Sequence, residues 1–316
     1  MSFFSRFFRW FGVVLLSVFC VAYANAETAS NPIDNADIRV HLLGTGSPLP
    51  LTYRFGPATL VEAGGEKFLF DAGRGNIQRL YTLGIPFDDV DKLFLTHLHS
   101  DHTIGIPDLY LTGWLRGRKK PLQVWGPEGT KKMMDAMVDA FDYDIKIRLD
   151  QNPGSDVETT EFTEGVVYDK DGVTITAFTV DHGVVKPAVG YRIDYNGRSV
   201  VLSGDTRYSE AVIEQAKGVD LLVHEVAAAS DEMAEKVPAI PRILDIHTTP
   251  EEAAKVFSKA APKMAVYSHI VLFGVDEDEL EKTTRAHYDG PLIIGEDLMT
   301  FHIGDTVRMT KEFADY

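Results

Sequence analysis

Thr96-His97-Leu98-His99-Ser100-Asp101-His102 is the stretch on which the reading of this chain turns. It follows Leu93-Phe94-Leu95, an apolar run short enough for a buried strand. His97 and His99 lie two apart, so extended backbone turns both to one side. Asp101 and His102 fall on the turn just beyond. Three His and one Asp within six residues, in a chain of 10 His, point to a metal site rather than to scattered surface histidines.

Further donors end other apolar strands. Asp181-His182-Gly183 closes Val173–Val180, Ser203-Gly204-Asp205-Thr206 closes Ser199–Leu202, and Tyr267-Ser268-His269 closes Ala265–Tyr267. Strands are also expected from Ile38 to Leu42 and over Ala58–Ala63, Lys67–Phe70, Lys92–Thr96, Leu122–Trp125, Val189–Tyr195 and Leu221–Val223. Gly64-Gly65 and Asn196-Gly197 read as hairpin turns. Helices are expected over Asn76–Leu83, Thr130–Phe141, Ser209–Lys217, Pro250–Lys259 and Asp276–His287. Thr249, Pro250 and Glu252 form a capping box at the start of the fourth. Strand-rich runs with helices between them recur in both halves. That order predicts an α/β chain with two sheets face to face and helices outside, in one domain. Asn152–Glu164, polar and Pro/Gly-bearing, reads as a surface loop within it.

In this order the donors resemble the signature of the metallo-β-lactamase superfamily. The resemblance implies the four-layer αββα sandwich and a two-metal site. His97, His99 and His182 would hold one zinc ion, Asp101, His102 and His269 the other, and Asp205 would bridge them. Manganese or iron also suits a nitrogen and oxygen donor set. Val40-His41-Leu42-Leu43-Gly44-Thr45-Gly46-Ser47-Pro48 looks like the ribonuclease Z branch. So do Phe70-Asp71-Ala72-Gly73, Gly190-Tyr191-Arg192, Leu222-Val223-His224-Glu225 and His247-Thr248-Thr249. The likeness runs from Ile38 to His302. It implies attack by a hydroxide held between the metals, with Asp101 among the catalytic groups. His247 protonates the leaving oxygen, Glu225 holds its charged form, and Asp71 orients a metal-bound His. Helix capping is the alternative for Asp71, and local structural pairing for His224 and Glu225. His41, His287 and His302 match no ligand position and read as structural.

Residues 1–26 read as a secretory signal. Arg6 and Arg9 supply the charge, Phe11 to Ala22 the apolar run, and Ala24-Asn25-Ala26 the cleavage site. The mature domain, residues 27–316, would then be periplasmic or secreted, with no membrane segment. The single Cys of the chain, Cys20, leaves with the signal, so no disulfide forms within it. Losing Arg6 and Arg9 and no acid takes the formal charge from −16 to −18.

Three features separate the chain from a tRNA-processing enzyme. His182 to Asp205 spans only 23 residues, too few for the long tRNA-gripping arm of ribonuclease Z proper. The acid excess opposes a polyanion, the basic run Arg116-Gly117-Arg118-Lys119-Lys120 aside. An exported protein does not meet precursor tRNA. The expectation is therefore an exported binuclear zinc hydrolase of a small anionic phosphodiester or sulfate ester, arylsulfatase-like or phosphodiesterase-like, with no nucleic-acid partner. A homodimer is left open. Arg54 and Arg207 could steer the anion, but a solvated surface position is the preferred reading for each. Trp114, Trp125, Phe55, Tyr110 and Phe273 are candidates for an aryl pocket or for packing. The alternatives are a β-lactamase or lactonase, a true ribonuclease Z cutting tRNA, and a non-catalytic metal-binding protein. An acid at Asp205 counts against the β-lactamase.

Overall fold

The computed structural model describes residues 35–148 and 153–313. The expected signal over residues 1–26 lies outside these. The fold falls within one compact unit, Pro32–Tyr316.

Two mixed sheets form its centre. From edge to edge the first runs Val307–Lys311 (β15), Met299–Ile303 (β14), Ile38–Gly44 (β1), Ala58–Ala63 (β2), Glu66–Phe70 (β3), Lys92–Phe94 (β4), Leu122–Gly126 (β5) and Val157–Glu161 (β6). The second runs Leu292–Ile294 (β13), Ala265–Phe273 (β12), Leu221–Ala229 (β11), Arg198–Leu202 (β10), Val189–Tyr195 (β9), Val173–Thr179 (β8) and Gly165–Lys170 (β7). Their facing sides share one core, in which Val40, Phe68, Phe94, Ile175, Tyr191 and Val200 are fully buried. Phe94 stacks on Trp125 at 4.6 Å and on Phe70 at 5.2 Å. The outer face of the first sheet packs on helices through Leu80, Leu109, Tyr110 and Met134, and that of the second through Val212, Ala254 and Phe257. This is the four-layer αββα sandwich. Each fully buried large apolar side chain contributes about 1.5–3 kcal/mol.

Strand direction gathers the donor loops. β3, β4 and β5 are parallel, so the segments after β3 and β4 leave by the same edge. In the second sheet β10, β11 and β12 are parallel, and β8 matches them through two antiparallel steps. The sheets are tied at this edge. Val189 N–H donates to the Thr96 carbonyl, Tyr191 O–H to the Leu95 carbonyl, and Ile270 N–H to the Thr45 carbonyl. At the other end of β9, Asn196 and Gly197 both take positive φ, as a primed hairpin turn requires. The helix Pro250–Ala260 begins with the expected capping box.

Two sequence expectations need correction. Val157–Glu161 is not loop but the parallel edge strand β6. An edge strand with one row of free backbone groups tolerates polar residues on both faces, so Glu158, Thr159 and Thr160 disguise it. β11 and β12 do not end at Val223 and Tyr267. Both run on by six residues, past a register shift between His224 and Val226. The polar pairs His224-Glu225 and Ser268-His269 interrupt the apolar pattern without ending the strands. His269 itself sits at φ 45°, which turns its ring out of the ladder.

Candidate metal centre and its proton-donor pair

Asp205 lies at the focus. Its Oδ2 is 3.3 Å from Nε2 of His102 and of His269, 3.7 Å from Nε2 of His182 and 3.8 Å from Nε2 of His97. Donor atoms of His97, His99, His182 and Asp205 all fall within 4.8 Å of one another, as do those of Asp101, His102 and His269. The structure thus brings all seven proposed ligands together around Asp205, and the donor atoms of Asp205, His247 and His269 form a third such group. Asp205 reaches this point from Gly204, whose φ is 61°; a Cβ there would stand 2.5 Å from the Val189 carbonyl oxygen.

One carboxylate orients two of the rings. Asp71 accepts from Thr96 N–H at 2.9 Å, from the Thr96 hydroxyl at 2.8 Å and from His102 Nδ1–H at 2.8 Å. The Thr96 oxygen, having given its proton to Asp71, accepts from His97 Nδ1–H at 3.0 Å. His182 Nδ1–H donates to the Ile246 carbonyl at 2.8 Å. Fixing Nδ1 as donor leaves the Nε2 lone pair free for a metal. Asp71 caps no helix, since the following helix has Gly75 at its N-cap. It holds φ 58°, a strained value for a residue other than glycine. Thr96 is the residue that sequence reasoning missed, although it stands inside the decisive stretch.

The arrangement fits a metal. Nε2 of His97, His102 and His182 is buried and makes no hydrogen bond, and a buried polar atom without a partner is costly. Burial, joined by the neighbouring His102, keeps His97 well below the ordinary histidine range, so its ring is neutral. Burial also lowers His99 and His182. Burial opposes charge on His102 too, but Asp205 and Asp71 outweigh it and hold that ring charged well above the usual range. A cation at the centre would take the place of this proton. Burial works against an ionised Asp205, yet His269 and His102 hold it well below the carboxylate range.

Beside the cluster stands a second device. Glu225, buried in the middle of β11, accepts through Oε1 from Thr206 N–H, Thr248 N–H and His247 Nδ1, each at 3.1 Å. Burial disfavours a charged His247, but the Glu225 carboxylate more than compensates and pushes its pKa up to about 9. The His247 ring lies 5.0 Å from that of His182 and 5.5 Å from that of His269. It is a buried histidine that Glu225 holds charged, placed against the cluster.

The remaining candidates fall elsewhere. Arg54 is no surface residue. It is buried and donates to the Thr45 hydroxyl, the Gly295 carbonyl and Glu277. Arg207 pairs with Asp245 and Asp181 and so ties the His182 and His247 loops together. Arg118 is fully buried on the carbonyls of Tyr110 and Gly154, and Lys120 faces Asp91. This basic run enters β5 at the edge opposite the site, so it makes no patch beside it. Trp114, Trp125 and Tyr110 are core, and Phe55 lies under Arg79. Phe273 alone of the five faces the site's cleft. His41 and His302 bond to Thr300 and Thr310, away from the cluster.

Fold and site together define a metal-dependent hydrolase. The family signature described as "Beta-lactamase superfamily domain" matches residues 66–270. Ribonuclease Z of Mycobacterium marinum is 38% identical over 270 residues, covering 83% of this chain and 97% of that enzyme. Ribonuclease Z of Mycolicibacterium gilvum is also 38% identical over 270 residues, covering 83% and 94%. Among solved structures, the short form of human tRNase Z superposes with TM-score 0.65 at 22% identity, covering 84% of this chain and 99% of that one. YhfI of Bacillus subtilis gives 0.65 at 20%, covering 83% and 98%; these two show the fold. The chain belongs to the metallo-β-lactamase superfamily, within it to the ribonuclease Z family.

This overturns the expectation of a small anionic ester and no nucleic acid. The relatives that match nearly end to end are ribonucleases. The missing arm does not set this chain apart, because a 270-residue match spanning 97% of the M. marinum enzyme leaves no room for a long arm there. Net charge was a poor guide because it sums the whole surface, whereas a substrate meets the field of one edge.

Proposed function

We propose that this protein is a zinc-dependent ribonuclease of the Z type that hydrolyses one phosphodiester bond in RNA; precursor tRNA is the probe of that cleavage, and the physiological RNA depends on whether the signal over residues 1–26 is used. The His247–Glu225 pair carries the reading: a buried, charged histidine held against a two-group donor cluster is what departure of a poor leaving group requires. Whole-length identity to ribonuclease Z supports it.

His97, His99 and His182 with Asp205, and Asp101, His102 and His269 with Asp205, would hold two zinc ions. When bound, the metals supply an acidified water and positive charge for the phosphoryl oxygens. The water oxygen joins phosphorus as the P–O bond to the ribose oxygen opens, and the electron pair stays on that oxygen. His247 gives it a proton, while Glu225 stabilises the imidazolium beforehand. The proton lost by the attacking water would pass to the Asp101 carboxylate, whose side chain is one-tenth exposed (10%) beside His102 and His269. Thr96 and Asp71 keep the rings of His97 and His102 from turning.

The test is incubation of the zinc-loaded protein with a precursor tRNA bearing a 3′ trailer. A single endonucleolytic cut, lost on chelation and restored by zinc, is the expected result. Turnover of aryl sulfates or β-lactams with no cleavage of any RNA would overturn the reading.

A further inference from the structure

A cleft of about 310 Å³ opens directly from the donor cluster. At its inner end lie His99, Asp101, Asp205, His247 and His269; beyond them the walls are Pro48, Leu49, Ile243, Ile246, Leu272 and Phe273. No charged side chain lines the outer part. It sits at the small end of the range for ligand clefts, room for one flat group and not for a duplex. Its apolar walls offer no partner to a second phosphate.

The direction of the cleft assigns its occupant. Ile246 and Ile243 belong to the same turn as His247, and the proton goes from His247 to the leaving oxygen. Whatever is attached to that oxygen therefore enters between this turn, the Pro48-Leu49 loop and the end of β12. On an RNA substrate that group is a nucleoside, whose base offers a flat, largely apolar face for packing. We infer that this cleft is a base-binding subsite for the nucleoside on the leaving side of the scissile bond, with Phe273 and Leu49 as the residues that grip it.

The inference rests on the ribonuclease reading, and the test separates the two. The zinc-loaded full chain is titrated calorimetrically with adenosine 3′-monophosphate, adenosine 5′-monophosphate and ribose 5-phosphate. At least one nucleotide should bind about tenfold more tightly than the sugar phosphate, the size of one base-stacking contact. In Phe273→Ala, and separately in Leu49→Ala, that ratio should fall towards one. Leu49 is 54% exposed, so its truncation leaves the fold intact. Equal affinity in the wild type, or a ratio unchanged in both variants, would overturn the subsite. RNA cleavage is scored in parallel. Cleavage without a base preference removes the subsite alone, whereas a base preference without cleavage keeps the subsite and removes the ribonuclease reading.

Discussion

Oε1 of Glu225 stands 3.1 Å from Nδ1 of His247, and both side chains are buried. The pair comes from two separate places, the middle of β11 and the turn before the helix Pro250–Ala260. Its consequence is a pH dependence with a definite sign. The folded-state pKa of His247, about 9, lies above the ordinary value of 6.5. The pair's contribution to stability is therefore complete below about pH 6.5 and lost as pH rises through about 9. In the metal-free protein, an NMR titration should find this ring charged at neutral pH. Glu225→Gln should bring its midpoint down. In the loaded enzyme the same variant should move the alkaline fall in rate to lower pH and slow turnover by about 100-fold. His247→Ala should keep its metal and be slowest on poor leaving groups. A pH profile unmoved by Glu225→Gln would refute the donor role.

Asp205 gives a sharper outcome, because one oxygen serves both donor groups. Asp205→Ala should bind metal weakly and unevenly and lose activity by at least about 1,000-fold. Metal analysis of the dialysed protein together with the rate decides it. A variant holding two metals at the normal rate would sink the site assignment.

Much of this was legible in the sequence, for reasons that differ from residue to residue. His97, His99 and His102 stand close along the chain, His182 and Asp205 follow apolar strands, and His269 follows the apolar run Ala265–Tyr267 within β12, so local pattern locates them. β6 was not legible, because an edge strand needs no apolar alternation. Neither was the length of β11 and β12, where buried polar residues serve the site and break the pattern. Thr96 carried no sign of its own, since its role exists only once β3 and β4 set Asp71 beside it. The substrate was misjudged from net charge and loop length, neither of which describes the surface around Asp205.

Asp71 touches no proposed metal atom, yet it sets two rings through one carboxylate. Asp71→Asn can no longer accept from both His102 and Thr96 with full charge. Zinc affinity should fall about 10–100-fold while the fold is retained. Competition with a chromophoric chelator measures it. Thr96→Val, which breaks only the branch to His97, should have a smaller effect. An unchanged affinity in Asp71→Asn would show that backbone alone orients the rings.

Residues 1–26 yield a prediction of another kind. Their charged start, apolar run and Ala24-Asn25-Ala26 motif imply cleavage, so N-terminal sequencing of the protein from its native host should begin at Glu27. Recovery of a chain beginning at Met1 would refute export by this signal. Among the described residues no helix is long and apolar enough to cross a membrane.

Asp297 tests how the cleft wall is held. It accepts from Thr45 N–H at 2.9 Å, the Thr45 hydroxyl at 2.8 Å, Phe55 N–H at 2.8 Å and Arg79 Nε at 3.1 Å. It thereby fixes both ends of the loop that carries Pro48 and Leu49. Asp297 and Arg79 are each 4% exposed, so Asp297→Ala removes one side of a buried ion pair. Breaking a buried pair from one side costs about 3–5 kcal/mol. For a domain of this size that corresponds to a melting temperature lower by roughly 10 °C in Asp297→Ala. Replacing both partners, Asp297→Asn with Arg79→Met, removes both charges of the pair and should recover part of the loss. The double variant should still bind nucleotide more weakly, because the loop carrying Leu49 is no longer fixed. Thermal unfolding and the nucleotide titration separate these effects. A single variant as stable as the wild type would mean that Arg79 finds another anion, and that Asp297 does not hold the loop.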